Sequence, residues 1–91
     1  MTDEQWIVGN PRVVYRDLAA EEGGVLLHLD SGQYHGLNAL GSMIWHLLED
    51  GKKPSALVSE LRGRLETLPP QLDEDVAGFI VSLRERDLVL G

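Results

Sequence analysis

Three histidines, five serines and fifteen acidic side chains are the groups in this chain with types and spacing worth testing for chemistry. His28, His35 and His46 invite a metal reading, because neutral imidazole is a common zinc ligand. A zinc site needs ligands converging on a tetrahedron, usually with one pair at turn or helical spacing. No cysteine is present and no His-x-x-x-His pair occurs. His28 and His35 are at best cross-strand neighbours of a hairpin, and His46 belongs to the following helix. The histidines therefore read as surface or groove residues, with no metal site. Nucleophilic catalysis asks for a serine beside a base and an orienting acid. Ser31, Ser42, Ser55, Ser59 and Ser82 offer no Gly-x-Ser-x-Gly elbow. Glu21-Glu22 and Asp73-Glu74-Asp75 read as a solvated loop and a helix start. With no cofactor motif either, the chain is not expected to be an enzyme.

Charge and length narrow the partners. The chain of 91 residues carries a net charge of −7 and scatters its eight basic residues. Phosphate backbones are held by clustered Lys and Arg that release counterions, so nucleic acid is not an expected partner. The first residues, with Asp3 and Glu4, lack the basic start and apolar stretch of a secretory signal. No apolar run approaches the roughly 20 residues that cross a bilayer. A cytoplasmic protein without a membrane partner is expected, and the absence of cysteine fits a reducing compartment. Residues 1–91 read as one domain, since a chain this short builds a single core.

The elements that must position any site change character near residue 38. Residues 11–18 are rich in β-branched and aromatic side chains, and Pro11 suits a strand start. A loop with two glycines follows over 19–24. Val25, Leu27 and Leu29 then alternate with Leu26, His28 and Asp30, as in a half-buried strand. Asp30-Ser31-Gly32 is a three-residue hairpin connection in which Gly32 takes the left-handed conformation. Residues 33–37 form the return strand. Asn38 is an N-cap, and Leu40, Ile44, Leu47 and Leu48 recur at helical spacing as far as Gly51, a C′ residue. Pro54 opens a second helix with Leu57, Val58, Leu61 and Leu65 on its stripe. Leu68-Pro69-Pro70 breaks it. A third helix carries Leu72, Val76, Phe79, Ile80 and Leu83, with acidic residues in its first turn and Arg84 and Arg86 in its last. Leu88 to Gly91 is an apolar tail returning to the core. The order predicts an α+β, winged-helix-like domain: a three-stranded antiparallel sheet followed by three helices.

Such a sheet has two edges, and an unpaired edge offers amides and carbonyls to an incoming chain. Gln33-Tyr34-His35-Gly36-Leu37 is short, uncharged and free of proline, so nothing in it blunts the edge. Gly36 admits close approach of another backbone. The same edge offers itself to a second copy of the chain, and the winged-helix outline alone would also suit a nucleic-acid binder.

The run Gly32-x-Tyr34-x-x-Leu37-Asn38-x-x-Gly41-x-x-Ile44-Trp45-x-Leu47-Leu48-x-x-Gly51 resembles the signature of PqqD-like proteins, the precursor-peptide recognition elements. The resemblance extends over about residues 11 to 90. It implies a non-catalytic adaptor that binds the leader of a ribosomally made peptide as an added strand, between the third strand and the third helix. It further implies a lasso-type pathway in which the leader passes to a separate leader peptidase (a cysteine protease), or to a modifying enzyme. Carried onto this chain, the ladder falls on Gln33, Tyr34, His35, Gly36 and Leu37. Val76, Phe79 and Leu83 form the apolar wall, Ile80 serves the core, and Asp75 pairs with a basic leader residue.

Overall fold

The computed structural model describes residues 6–18, 23–67 and 69–91. The first residues, the Glu21-Glu22 pair and Leu68 of the proline break lie outside the described residues. Among the described residues, eight elements run in the order β1 (Val8–Gly9), β2 (Val13–Asp17), β3 (Gly24–His28), β4 (Tyr34–Leu37), α1 (Ala39–Leu48), α2 (Pro54–Arg64), α3 (Leu72–Glu85) and β5 (Val89–Leu90). Strands β2, β3 and β4 form the expected three-stranded antiparallel sheet in that spatial order, and the three helices follow. The α+β reading therefore holds.

Several local signals act where the sequence places them. The Asn38 side chain accepts a hydrogen bond from the Gly41 amide at 2.7 Å and so starts α1 directly after β4. Gly51, at φ +82°, ends the α1 segment, and Pro54 is the first residue of α2. The β3–β4 hairpin differs from expectation on both sides of its turn, since β3 ends at His28 and β4 begins at Tyr34, which leaves Leu29 and Gln33 outside the strands. Its turn spans residues 29–32, with the His28 amide donating to the Gln33 carbonyl and the Gly32 amide to the His28 carbonyl. Leu29 thus leaves the strand for the turn, and Gly32 takes φ +73°.

The phase of β3 is the second correction. Its buried residues are Gly24, Leu26 and His28, while Val25 and Leu27 are half-buried and Leu29 is exposed. Both phases of this strand are apolar in sequence, so alternation alone does not choose between them. The packing of the helices does. Leu26 joins Ile44, Leu48, Leu57, Leu61 and Leu83 among the fully buried side chains. Each such side chain contributes about 1.5–3 kcal/mol by leaving water.

A second small sheet completes the domain. The tail does return to the core, with Leu88 and Val89 buried, but it does so as β5, paired antiparallel with β1. Ile7, just before β1, is fully buried and exchanges two backbone bonds with Lys52 ahead of α2. This pair ties both ends of the described chain to the helical layer.

Candidate functional site, an open strand edge beside helix α3

Strand β4 pairs with β3 on one side, and its other side has no strand partner among the described residues. The bond that closes the hairpin, from the His28 amide to the Gln33 carbonyl, sets the alternation of the antiparallel ladder. With Leu26 opposite His35 and Gly24 opposite Leu37, those two β4 residues bond inward to β3. The amides and carbonyls of Tyr34 and Gly36 are left directed to the open side. Gly36 is exposed, and a side chain built there would meet nothing within 4 Å.

Helix α3 supplies the facing wall. Asp75, Phe79, Ser82 and Arg86 recur at spacings of four, three and four, which places them along one side of the helix and its cap. Between this side and β4 lies a cleft of about 290 Å³, lined by Tyr34, His35, Gly36 and Leu37 and by Phe79, Ser82, Leu83 and Arg86. Phe79 is half-buried, and its ring reaches over the start of α1. A Cβ on Gly41 would stand 3.4 Å from Phe79 Cζ, so the glycine leaves room for the ring. Tyr34, 71% exposed, marks the opposite end of the strand.

The electrostatics of the cleft rest on His35 and Arg86. The Arg86 guanidinium donates from Nη1 to His35 Nδ1 at 3.2 Å. Burial pushes the His35 imidazole below its ordinary pKa, and the charge of Arg86 and the neighbouring His28 act in the same direction. The ring is therefore a neutral acceptor at neutral pH.

The expected site residues are placed as follows. Tyr34, His35, Gly36, Leu37, Phe79 and Leu83 come together around the cleft. Gln33 lies at the hairpin end, its carbonyl already bonded to His28 and its amide to Ser31 Oγ. Asp75 is exposed on the cleft side of α3 but does not line the cleft. Val76 is 1% exposed and packs in the core, so the apolar wall consists of Phe79 and Leu83 without it. Ile80 is in the core. Ser82 and Arg86 line the cleft although no apolar pattern marks them, and their three- and four-residue spacing from Phe79 is the signal that finds them. His28 is buried and hydrogen-bonded rather than a surface residue, at the floor of a separate depression it shares with Asp30, Gln33 and Asp87. Ser31, the residue after Asp30, serves the hairpin turn.

The two largest cavities among the described residues, of about 620 and 770 Å³, are lined by neither β4 nor α3. Both flank β2, the other edge strand of the sheet, so what distinguishes the β4 cleft is helix α3 standing against its open edge. Among the described residues no group of three or more His, Asp or Glu side chains converges as a metal site would. No described helix is long and apolar enough to cross a membrane.

The fold and the cleft define a small α+β domain with an accessible strand edge beside an amphipathic helix. The chain belongs to the PqqD family, described as coenzyme PQQ synthesis protein D, whose profile matches residues 23–89. The family expected from the run between Gly32 and Gly51 is thus the family found. Among solved structures, the chain is similar to "TbiB1 in Complex with the TbiA(beta) Leader Peptide", with 34% identity and a TM-score of 0.77 over 92% of this chain and 95% of that one. It is also similar to "Lasso peptide synthetase B1 complexed with the leader peptide", with 27% identity and a TM-score of 0.74 over 93% of this chain and 98% of that one. A comparison with curated proteins returned no match.

Proposed function

We propose that this domain is a non-catalytic, cytoplasmic adaptor that captures the leader of a ribosomally made precursor peptide in a lasso-type pathway. The leader adds to the sheet as a strand alongside β4, beneath the Phe79 side of α3. The domain then presents it to a separate leader peptidase, a cysteine protease, or to a modifying enzyme. The observation that carries this reading is the pair of outward backbone positions, Tyr34 and Gly36, opening onto a cleft walled by Phe79 and Leu83 of α3. The two similar structures, both complexes with leader peptides, support the same class of ligand.

The energetics say which contacts must matter. Four ladder bonds at about 0.5–1.5 kcal/mol each are largely offset by about 2–5 kcal/mol for ordering a disordered peptide. Affinity therefore rests on apolar side chains of the leader against Phe79, Leu83 and Leu37. Asp75, outside the cleft itself, remains available to a basic leader residue at that end.

The test is a titration of a fluorescently labelled leader, from the precursor encoded beside this gene, followed by anisotropy. Saturable binding at or below micromolar concentration is expected, with loss in Phe79→Asp while circular dichroism shows the variant folded. A folded protein that ignores this leader removes the reading. The open edge favours one other outcome, pairing with a second copy. Sedimentation at micromolar concentration separates the two, since a monomer keeps its edge free.

A further inference from the structure

Among the arginines of this acidic chain, Arg86 is the one that lines the β4 cleft, and Arg16 on β2 likewise has no carboxylate within ion-pair distance among the described residues. Arg12, Arg62 and Arg64 each hold a carboxylate, from Asp30, Asp73 and Glu60, at 2.9, 2.9 and 3.3 Å. Arg84 donates to the carbonyl of Gly91. Arg86 lines the cleft, and no carboxylate lies within ion-pair distance of it among the described residues. This is so although Glu85 and Asp87 flank it in the chain. The Asp87 carboxylate is turned to His28. Arg86 instead donates to His35, a ring with no charge to answer its own. A guanidinium has five N–H donors arranged to grip a carboxylate, and in this cleft one of them is engaged by His35.

The ladder says what comes within its reach. Because Tyr34 and Gly36 direct their backbone groups outward, a strand added there pairs with His35 at a position where facing side chains approach closely. The residue opposite His35 points to the same side of the sheet as His35, toward Arg86. Strand side chains alternate, so the residue two positions away, opposite Leu37, faces Phe79 on that same side.

We infer, resting on the peptide-binding reading above, that Arg86 is a specificity-determining residue which selects leaders carrying Asp or Glu opposite His35, two positions from the apolar residue that meets Phe79. The apolar anchor supplies affinity. The acid supplies register and direction, because an ion pair at one end of the cleft distinguishes the leader's correct seating from a slip along the edge.

The experiment pans a displayed library of random peptides against the intact wild-type domain, Arg86→Gln and Arg86→Glu. Arg86 is exposed, and thermal melts establish that all three proteins are folded. The wild type is expected to enrich Asp or Glu two positions from an apolar consensus. Arg86→Glu is expected to replace that acid by Lys or Arg at the same position, and Arg86→Gln to show no charge preference there, with the apolar consensus kept in both. Changing the acid of the winning peptide to its amide should weaken wild-type binding roughly twofold to fivefold, the size of a partly exposed ion pair. The same change should leave Arg86→Gln unaffected. An apolar consensus with no acid, or with the acid retained in all three pools, overturns the role of Arg86 while peptide binding stands. Failure of all three folded proteins to enrich any peptide overturns both.

Discussion

The carboxylate of Asp87 lies 3.1 Å from Nε2 of the buried His28, joining the end of α3 to the middle strand of the sheet. The other ring nitrogen, Nδ1, accepts from the Asp30 amide at 3.2 Å, so the hydrogen-bond network assigns the proton to Nε2. Asp87 takes φ +59°, a left-handed conformation that β-branched residues resist, and its carbonyl accepts from Asn10 Nδ2. One residue thus ends the helix, holds the sheet and ties down the chain ahead of β2. Asp87→Val should destabilise the domain by about 2–5 kcal/mol, from roughly 1–2 for the backbone and 1–3 for the stranded His28 donor. Asp87→Asn, which tolerates the conformation and keeps an acceptor, should lose much less. Urea denaturation of the two variants measures the difference.

Stability should also fall on mild acidification through His35. Burial, Arg86 and His28 hold its pKa below the ordinary 6.5 in the folded chain. Unfolded, the ring takes a proton near 6.5. Between the two values the unfolded state binds more protons, so stability rises with pH there and declines as pH drops from 6.5 toward the folded pKa. Above 6.5 the residue's contribution is constant. Urea midpoints at pH 7.5 and 5.5 should show a shallower acid decline in His35→Gln than in the wild type. Equal declines would mean that the ring titrates alike in both states.

The junction between the sheet edge and the helices depends on Asn38. Its side-chain oxygen satisfies the Gly41 amide, one of the donors left over at a helix start. Asn38→Ala should cost about 0.5–2 kcal/mol, typically about 1. Asn38→Asp should recover most of it, because a carboxylate accepts the same bond and suits the helix dipole. Thermal unfolding of the pair tests whether the loss is the cap or the side chain's bulk.

What could be read from the chain, and what could not, follows from the range of each physical signal. Asn38, Gly51 and Pro54 act on their own immediate backbone, and each bounds a helix as its type dictates. The open edge was legible because neither proline nor charge interrupts 33–37. Strands β1 and β5 are two residues each, below the length at which any period is defined, and only their pairing across the whole chain makes them strands. The inward face of β3 was ambiguous because Leu26 and Leu27 are equally apolar, and the helices decide it. Val76 and Phe79 belong to one apolar stripe three residues apart. Their division between core and cleft depends on where α1 passes, with Gly41 admitting the Phe79 ring.

The ladder geometry makes its own prediction at Gly36. The amide of this residue points to the open side and takes no part in the β3–β4 bonds, so its removal costs the free domain no internal hydrogen bond. A proline there meets no neighbour at Cβ, and the extended His35 before it is the conformation proline favours. Gly36→Pro should therefore leave thermal stability nearly unchanged. The incoming leader loses one donor and meets the ring at the edge, so peptide affinity should fall about tenfold or more, from roughly 1 kcal/mol for the bond together with the steric conflict. His35→Pro supplies the contrast, because its amide bonds inward to β3 and its loss should lower stability as well. Anisotropy titrations and melts of the two variants should separate an edge that receives a peptide from one that merely closes the sheet. If Gly36→Pro binds the leader as the wild type does, the peptide does not pair with β4.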